Sequence, residues 1–214
     1  MSTPPPFVAV FSGDLIGSSE ADPRETNDAI NSIRATAERI EYWPQGAPGH
    51  FTRMRGDGWQ FVLPHTGHAL RAAIAVFASL ISRGRLHTRI AIGLGSMNPL
   101  DGADLSAASG PAFEASGRTL DAMPKSGRFA IAGAGVTPLH RAIVTLVDDH
   151  ISRWTPEQAE AAAYYLNPTD PTLKDIAAAL GISTQAVHSR IKGAGAQALR
   201  DAVRLWETQA EQDP

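Results

Sequence analysis

Two short stretches place a carboxylate where a strand ends. Phe7-Val8-Ala9-Val10-Phe11 is an apolar run closed by Ser12-Gly13-Asp14, and Gly56-Asp57-Gly58 separates two strand-like runs, His50 to Arg55 and Trp59 to Leu63, in the pattern of a hairpin. Carboxylate oxygens are hard donors, so two of them held side by side can share Mg²⁺ or Mn²⁺ and, through the ion, the phosphates of a nucleotide. Spacing alone also allows both aspartates to serve only as turn residues. Gly56 and Gly58 do not separate these readings, because a tight hairpin and a close approach of backbone to phosphate both favour glycine. Trp59 reads as a core or interface residue, and Gln60 as either a sheet-face residue or a polar liner of the site.

A second constellation lies in the C-terminal third. Thr155-Pro156-Glu157-Gln158 has an N-cap threonine, a proline at the first helical position and a glutamine at the third, and Thr172 with Asp175 repeats the capping box after the break Asn167-Pro168-Thr169-Asp170-Pro171. Leu173, Ile176, Ala177 and Leu180 then share one helical face, Gly181 supplies a turn, Ile182 plugs it, and Ser183 caps a helix that turns Val187 and Ile191 inward. This is the spacing of a helix-turn-helix that binds double-stranded DNA. Ser183, Thr184, Gln185, His188 and Ser189 belong to the start and outer face of its second helix, where base edges are read, while Arg190 and Lys192 are placed for phosphates. Local charge agrees: from Lys174 to Arg204 the bases are Lys174, Arg190, Lys192, Arg200 and Arg204 against Asp175 and Asp201. A packed helical hairpin used for protein contact is the alternative. Such modules commonly read half-sites in pairs, so a homodimer is expected.

The elements between these stretches must bring the residues together. Glu25 to Tyr42 carries Ile30, Ile33, Ala37 and Ile40 at helical spacing, and His68 to Ser82 is an apolar-rich helix. Thr88 to Leu94 reads as a strand, Ser96 to Ala108 as a loop, Gly110 to Met123 as a short helix, Arg128 to Ile131 as a last strand and Leu139 to Ser152 as a helix. The expected class is α+β: a ferredoxin-like antiparallel sheet with helices on one face, followed by an all-α domain. In that topology the tip of the second hairpin lies beside the end of the first strand, which makes Asp14 and Asp57 neighbours. The turn-rich Ala132 to Pro138 marks a boundary, giving residues 1–135 as the sheet domain, 136–153 as a linker helix and 154–214 as the helix-turn-helix domain.

A chain of 214 residues has room for two small domains, each with its own core. With 43% hydrophobic and 19% charged residues it is globular rather than disordered or fibrous. The apolar run from Ala72 to Ile81 is too short to span a bilayer, Met1 to Pro6 lacks the features of a secretion signal, and there is no cysteine, so a cytoplasmic protein without a membrane partner is expected.

Phe11 to Ser19, Arg55 to Phe61, Arg89 to Gly95 and Gly110 to Leu120 follow one another in the order of the motifs of class III nucleotidyl cyclases, which the first half resembles. Joined to Ile176-Ala177-Ala178-Ala179-Leu180-Gly181-Ile182-Ser183, the combination more closely resembles the SatD family, over most of the chain. The cyclase resemblance implies that Asp14 and Asp57 hold two Mg²⁺ or Mn²⁺ ions that activate a ribose 3′-hydroxyl and neutralise a triphosphate. It implies that Leu15, Ile16, Gly17 and Ser18 lie against the phosphates, that Gly56 and Gly58 flank them, that Arg53 contacts the base, and that Arg118 is a transition-state arginine reaching across a dimer interface. Three departures stand out: Glu114 replaces the ribose-orienting Asn, Arg53 replaces a Lys, and the Asp of the fourth-strand region is not evident. The function expected is a DNA-binding transcriptional regulator whose sheet domain senses a nucleoside triphosphate or cyclic nucleotide, with or without a divalent metal. The alternatives are an active nucleotidyl cyclase that forms a cyclic nucleotide and pyrophosphate, and a sheet domain that only dimerises.

Overall fold

The computed structural model describes residues 5–44, 49–84, 86–99, 105–124 and 126–212. Five strands form one sheet: β1 (Phe7–Leu15), β2 (His50–Arg53), β3 (Trp59–Leu63), β4 (Thr88–Ser96) and β5 (Phe129–Gly133), in the order β2-β3-β1-β4-β5. β1 runs antiparallel to both β3 and β4, whereas β5 runs parallel to β4. The sheet is therefore mixed, which corrects the expectation of a purely antiparallel one. The cause is the connection: α3 (Pro111–Ala122) carries the chain from the end of β4 back to the other end of the sheet, and a strand entered through a helical crossover lies parallel to the one before it.

A second correction concerns the faces. Phe11 and Ile92 pack into the main core with Ile30 and Ile33 of α1 (Pro23–Ile40) and Leu70 and Ile74 of α2 (Ala69–Ile81). Val8 and Val10, pointing the other way from the same strand, pack with Val62, Ala112 and Phe113. α3 thus covers the face opposite α1 and α2, where helices on one face alone were expected. This explains why β1 is a continuous apolar run rather than an alternating one, since a strand covered on both sides has no solvent face. α3 lies directly on β4: a Cβ at Gly93 would stand 2.1 Å from the Ala112 carbonyl oxygen and 2.5 Å from the Ser116 nitrogen. The loop expected from Ser96 to Ala108 contains a 3₁₀ turn at Leu105–Ala107, and its residues 100–104 lie outside the described residues.

Five further helices follow: α4 (Pro138–Ile151), α5 (Pro156–Tyr165), α6 (Leu173–Leu180), α7 (Thr184–Gly193) and α8 (Ala196–Gln212). Both expected capping boxes form, Thr155 with Gln158 and Thr172 with Asp175, and Gly181 ends α6 in the left-handed conformation at φ 66°. The apolar core does not stop at the sheet. One buried cluster continues from Phe11 and Leu70 through Ile151, Trp154 and Ala162 to Val187, Ile191 and Trp206. At its border Arg71 of α2, only 4% exposed, donates from Nε and Nη2 to the two carboxylate oxygens of Glu207 in α8, both at 2.6 Å, and from Nη1 to the carbonyl of Leu166. No helix among the described residues is long and apolar enough to cross a membrane.

Candidate functional site

The corner where β1 ends is built by close packing. A Cβ on Gly13 would lie 2.4 Å from the Trp59 ring, so glycine there lets the indole cross the strand, and Trp59, which is buried, donates from Nε1 to Thr88 Oγ1 at 3.1 Å. Thr88 in turn donates to the Asp14 carbonyl at 2.7 Å. The β1–β3 register pairs Gly13 with Trp59, which brings the hairpin tip at Gly56-Asp57-Gly58 beside Asp14. Behind this corner, Gln60 donates to Ser12 Oγ at 3.2 Å, and the Ser12 and Ser116 hydroxyls are 2.9 Å apart, so Gln60 faces α3 within a polar chain across the sheet.

Asp14 faces Arg89 directly across the β1–β4 pair. Arg89 Nε donates to Asp14 Oδ1 at 2.8 Å and Nη2 donates to Oδ2, a two-pronged contact that commits both carboxylate oxygens. The hydrogen bond to Asp14 holds the guanidinium above the usual arginine range, and the charges of Asp57 and Asp121 add to the effect. Asp57 accepts a hydrogen bond from Ser18 Oγ, which ties the hairpin tip to the loop after β1. Arg53 donates from Nε and Nη2 to the Gly56 carbonyl at 3.2 and 3.1 Å, and from Nη1 to Asn27 Oδ1 at 2.7 Å.

Between that loop, the start of α1 and the hairpin is an open cavity of about 300 Å³, lined among others by Ser18, Thr26, Asn27, Arg53, Gly56 and Asp57. Four of the residues expected to meet a nucleotide or metal, Ser18, Arg53, Gly56 and Asp57, therefore share one cavity. Leu15 is buried, Ile16 and Gly17 are exposed in the adjoining loop, Gly58 closes the hairpin, and none of these lines the cavity. Arg118 is elsewhere, 77% exposed on α3 and 3.6 Å from Glu114 one turn away. Thr26 and Asn27, which reach the cavity from α1, carried no signal in the sequence beyond a helical pattern. Arg89 lies within the strand expected from Thr88 to Leu94, and only the strand register could have paired it with Asp14.

Mg²⁺ or Mn²⁺ was expected on Asp14 and Asp57. The donors as arranged do not fit such an ion: both oxygens of Asp14 are held by a guanidinium, and a divalent cation there would sit against a positive charge. Among the described residues no group of three or more His, Cys, Asp or Glu side chains stands together to hold a metal.

In the helical segment, Val187 and Ile191 are buried while Thr184, Gln185, His188, Ser189 and Lys192 are exposed on α7. Ser183 caps that helix, its Oγ accepting from the Ala186 nitrogen at 3.1 Å. Arg190, expected to face phosphates, is half-buried and donates to Glu160 of α5 at 2.9 Å. Arg200 and Arg204 both pair with Asp170, at 3.2 and 2.6 Å. Of the two residues expected to face phosphates, Lys192 is thus the exposed one, and with His188 it lines a cavity shared with Thr172, Leu173 and Arg200.

No family model and no curated protein matches the sequence. Solved structures similar to the chain include a bacterial light-regulated adenylyl cyclase, 18% identical over 70% of this chain and 81% of that one, with a TM-score of 0.44. An adenylate/guanylate cyclase/hydrolase from Silicibacter pomeroyi is 17% identical over 66% of this chain and 81% of that one, with a TM-score of 0.43. The dimeric guanylyl cyclase domain of the RhoGC fusion protein from the aquatic fungus Blastocladiella emersonii is 17% identical over 55% and 74%, with a TM-score of 0.40.

Proposed function

We propose that this chain is a DNA-binding regulator whose sheet site takes a nucleotide. The observation that carries the reading is the exposed polar face of α7, set on buried Val187 and Ile191 behind the left-handed turn at Gly181. Thr184, Gln185, His188 and Ser189 offer hydrogen-bonding groups of a size that reaches base edges, and Lys192 offers a phosphate contact. In this reading α6 and α7 are the helix-turn-helix of a segment from residue 154 onward, residues 136–153 link it to the sheet, and two copies read paired half-sites. The strand order β2-β3-β1-β4, with β5 added at the edge, supports reading the sheet unit as ferredoxin-like. The nucleotide enters the cavity between Ser18, Arg53 and Asp57, and the core that runs on into α7 couples the two sites.

The test is selection of bound fragments from random duplex DNA by the full chain, followed by anisotropy titration. Specific binding that Gln185→Ala weakens at particular base positions supports the reading. Binding that is identical for every sequence, or absent, sinks it.

The meeting of Asp14 with the Asp57 hairpin favours a second reading, a nucleotidyl cyclase that converts a nucleoside triphosphate to a cyclic nucleotide and pyrophosphate. Arg89 on Asp14 and Glu114 beside Arg118 oppose it. Cyclic product formed from ATP or GTP, and lost on Asp57→Asn, would establish it.

A further inference from the structure

We infer that the sheet site selects a nucleotide with a single phosphate group and takes it without a divalent cation, because Arg89 fills the cation's place beside Asp14. The inference rests on the nucleotide reading of the adjoining cavity, whose lining includes Asp57 but neither Asp14 nor Arg89. Direct pairing of Asp14 and Arg89 across β1 and β4 means that the ion pair is set by strand register, not by a loop, and the two side chains are only 27% and 24% exposed. Asp14 is therefore neutralised within the sheet.

Two further features point to a small, weakly charged ligand. Inside the cavity Arg53 and Asp57 oppose one another in charge, so no surplus of positive charge is left to meet a triphosphate. A triphosphate needs a metal ion to offset its charge, and of the two aspartates that would carry it Asp14 has both oxygens held by Arg89, which leaves Asp57 alone, one oxygen of which accepts from Ser18. Arg53, by contrast, has five N–H groups and uses three of them on Gly56 and Asn27, leaving two for one phosphate. The volume agrees: about 300 Å³ is the lower end for small-molecule sites and suits a mononucleotide better than an extended triphosphate. Cyclic and open monophosphates share this chemistry.

The experiment is calorimetric titration of the full chain with AMP, GMP, cyclic AMP, cyclic GMP, ATP and GTP, each in EDTA and in excess Mg²⁺. The expected result is a single-phosphate nucleotide bound equally in both conditions and, in EDTA, at least about tenfold more tightly than either triphosphate. A cyclic or an open form preferred over the other identifies the source of the phosphate. Triphosphate binding that dominates and requires Mg²⁺ overturns the inference while leaving the nucleotide reading intact; binding of no nucleotide in either condition overturns that reading itself. Arg89→Gln leaves Asp14 uncompensated and should weaken single-phosphate binding by about tenfold. Pairing it with Asp14→Asn restores neutrality at nearly the same shape, so the double variant should regain that affinity. A double variant that folds and binds no better than Arg89→Gln refutes the role given to Arg89.

Discussion

Replacing Arg71 with methionine removes the three hydrogen bonds that join α2 to α8 and to the end of α5, and strands the Glu207 carboxylate. Arg71 is 4% exposed and the Glu207 side chain 17%, so little solvent can replace what is lost. Removing one partner of a buried ion pair costs about 3–5 kcal/mol, and the residual exposure of Glu207 argues for the lower end, about 3 kcal/mol. At about 2–4 °C per kcal/mol for a chain of this size, the melting temperature should fall by about 6–12 °C, measured by calorimetry at neutral pH. Adding Glu207→Met removes the stranded charge, and the double variant should recover more than half of the loss. A fall of under about 2 °C for Arg71→Met, or a double variant no more stable than the single one, would show that the pair does not hold these layers together.

Burial holds the His68 imidazole down at about 4, against an ordinary 6.5, outweighing the Glu207 carboxylate 3.9 Å away. The folded state therefore keeps this group neutral while the unfolded chain protonates below pH 6.5, so its contribution is intact above that pH and declines toward pH 4, by up to about 3 kcal/mol. Urea titrations across that window should show the slope, and His68→Phe should flatten it. Gly93→Ala should destabilise by about 2–3 kcal/mol, because its methyl would meet the α3 backbone at 2.1 Å; a melting curve unchanged from that of the parent would refute that packing. If α7 meets DNA, Lys192→Ala should reduce the steepness of log affinity against log salt by about one unit, and an unchanged slope would remove Lys192 from the phosphate contacts.

Helices with local signals were legible in the sequence. Thr155 with Gln158, Thr172 with Asp175 and the glycine at 181 mark boundaries through contacts only a few residues long. What depended on distant partners was not. The direction of β5 follows from where α3 crosses, and the face that α3 covers shows in the sequence only as glycines at 93 and 95, which resemble turn residues. The site divided in the same way: the Asp57 hairpin was evident from its flanking glycines, and its approach to Asp14 followed from strand order. The partner of Asp14 is a property of register, and a shift of one residue would have turned Arg89 to the other face. Arg190 shows the limit of helical periodicity, which places a residue at the side of a helix but does not reveal Glu160 on its neighbour.

The reach of Glu207 back to Arg71 has a consequence for the order in which the chain is made. α2 leaves the ribosome more than a hundred residues before α8. Until α8 emerges, Arg71 lacks the Glu207 carboxylate, and the apolar side of α2 has on this flank only the cover that α5 supplies once it is made. A nascent chain that has finished its sheet is thus still exposed to wrong contacts along α2, and a message truncated within α8 would yield a product recognised by chaperones and proteases rather than a free-standing sheet unit.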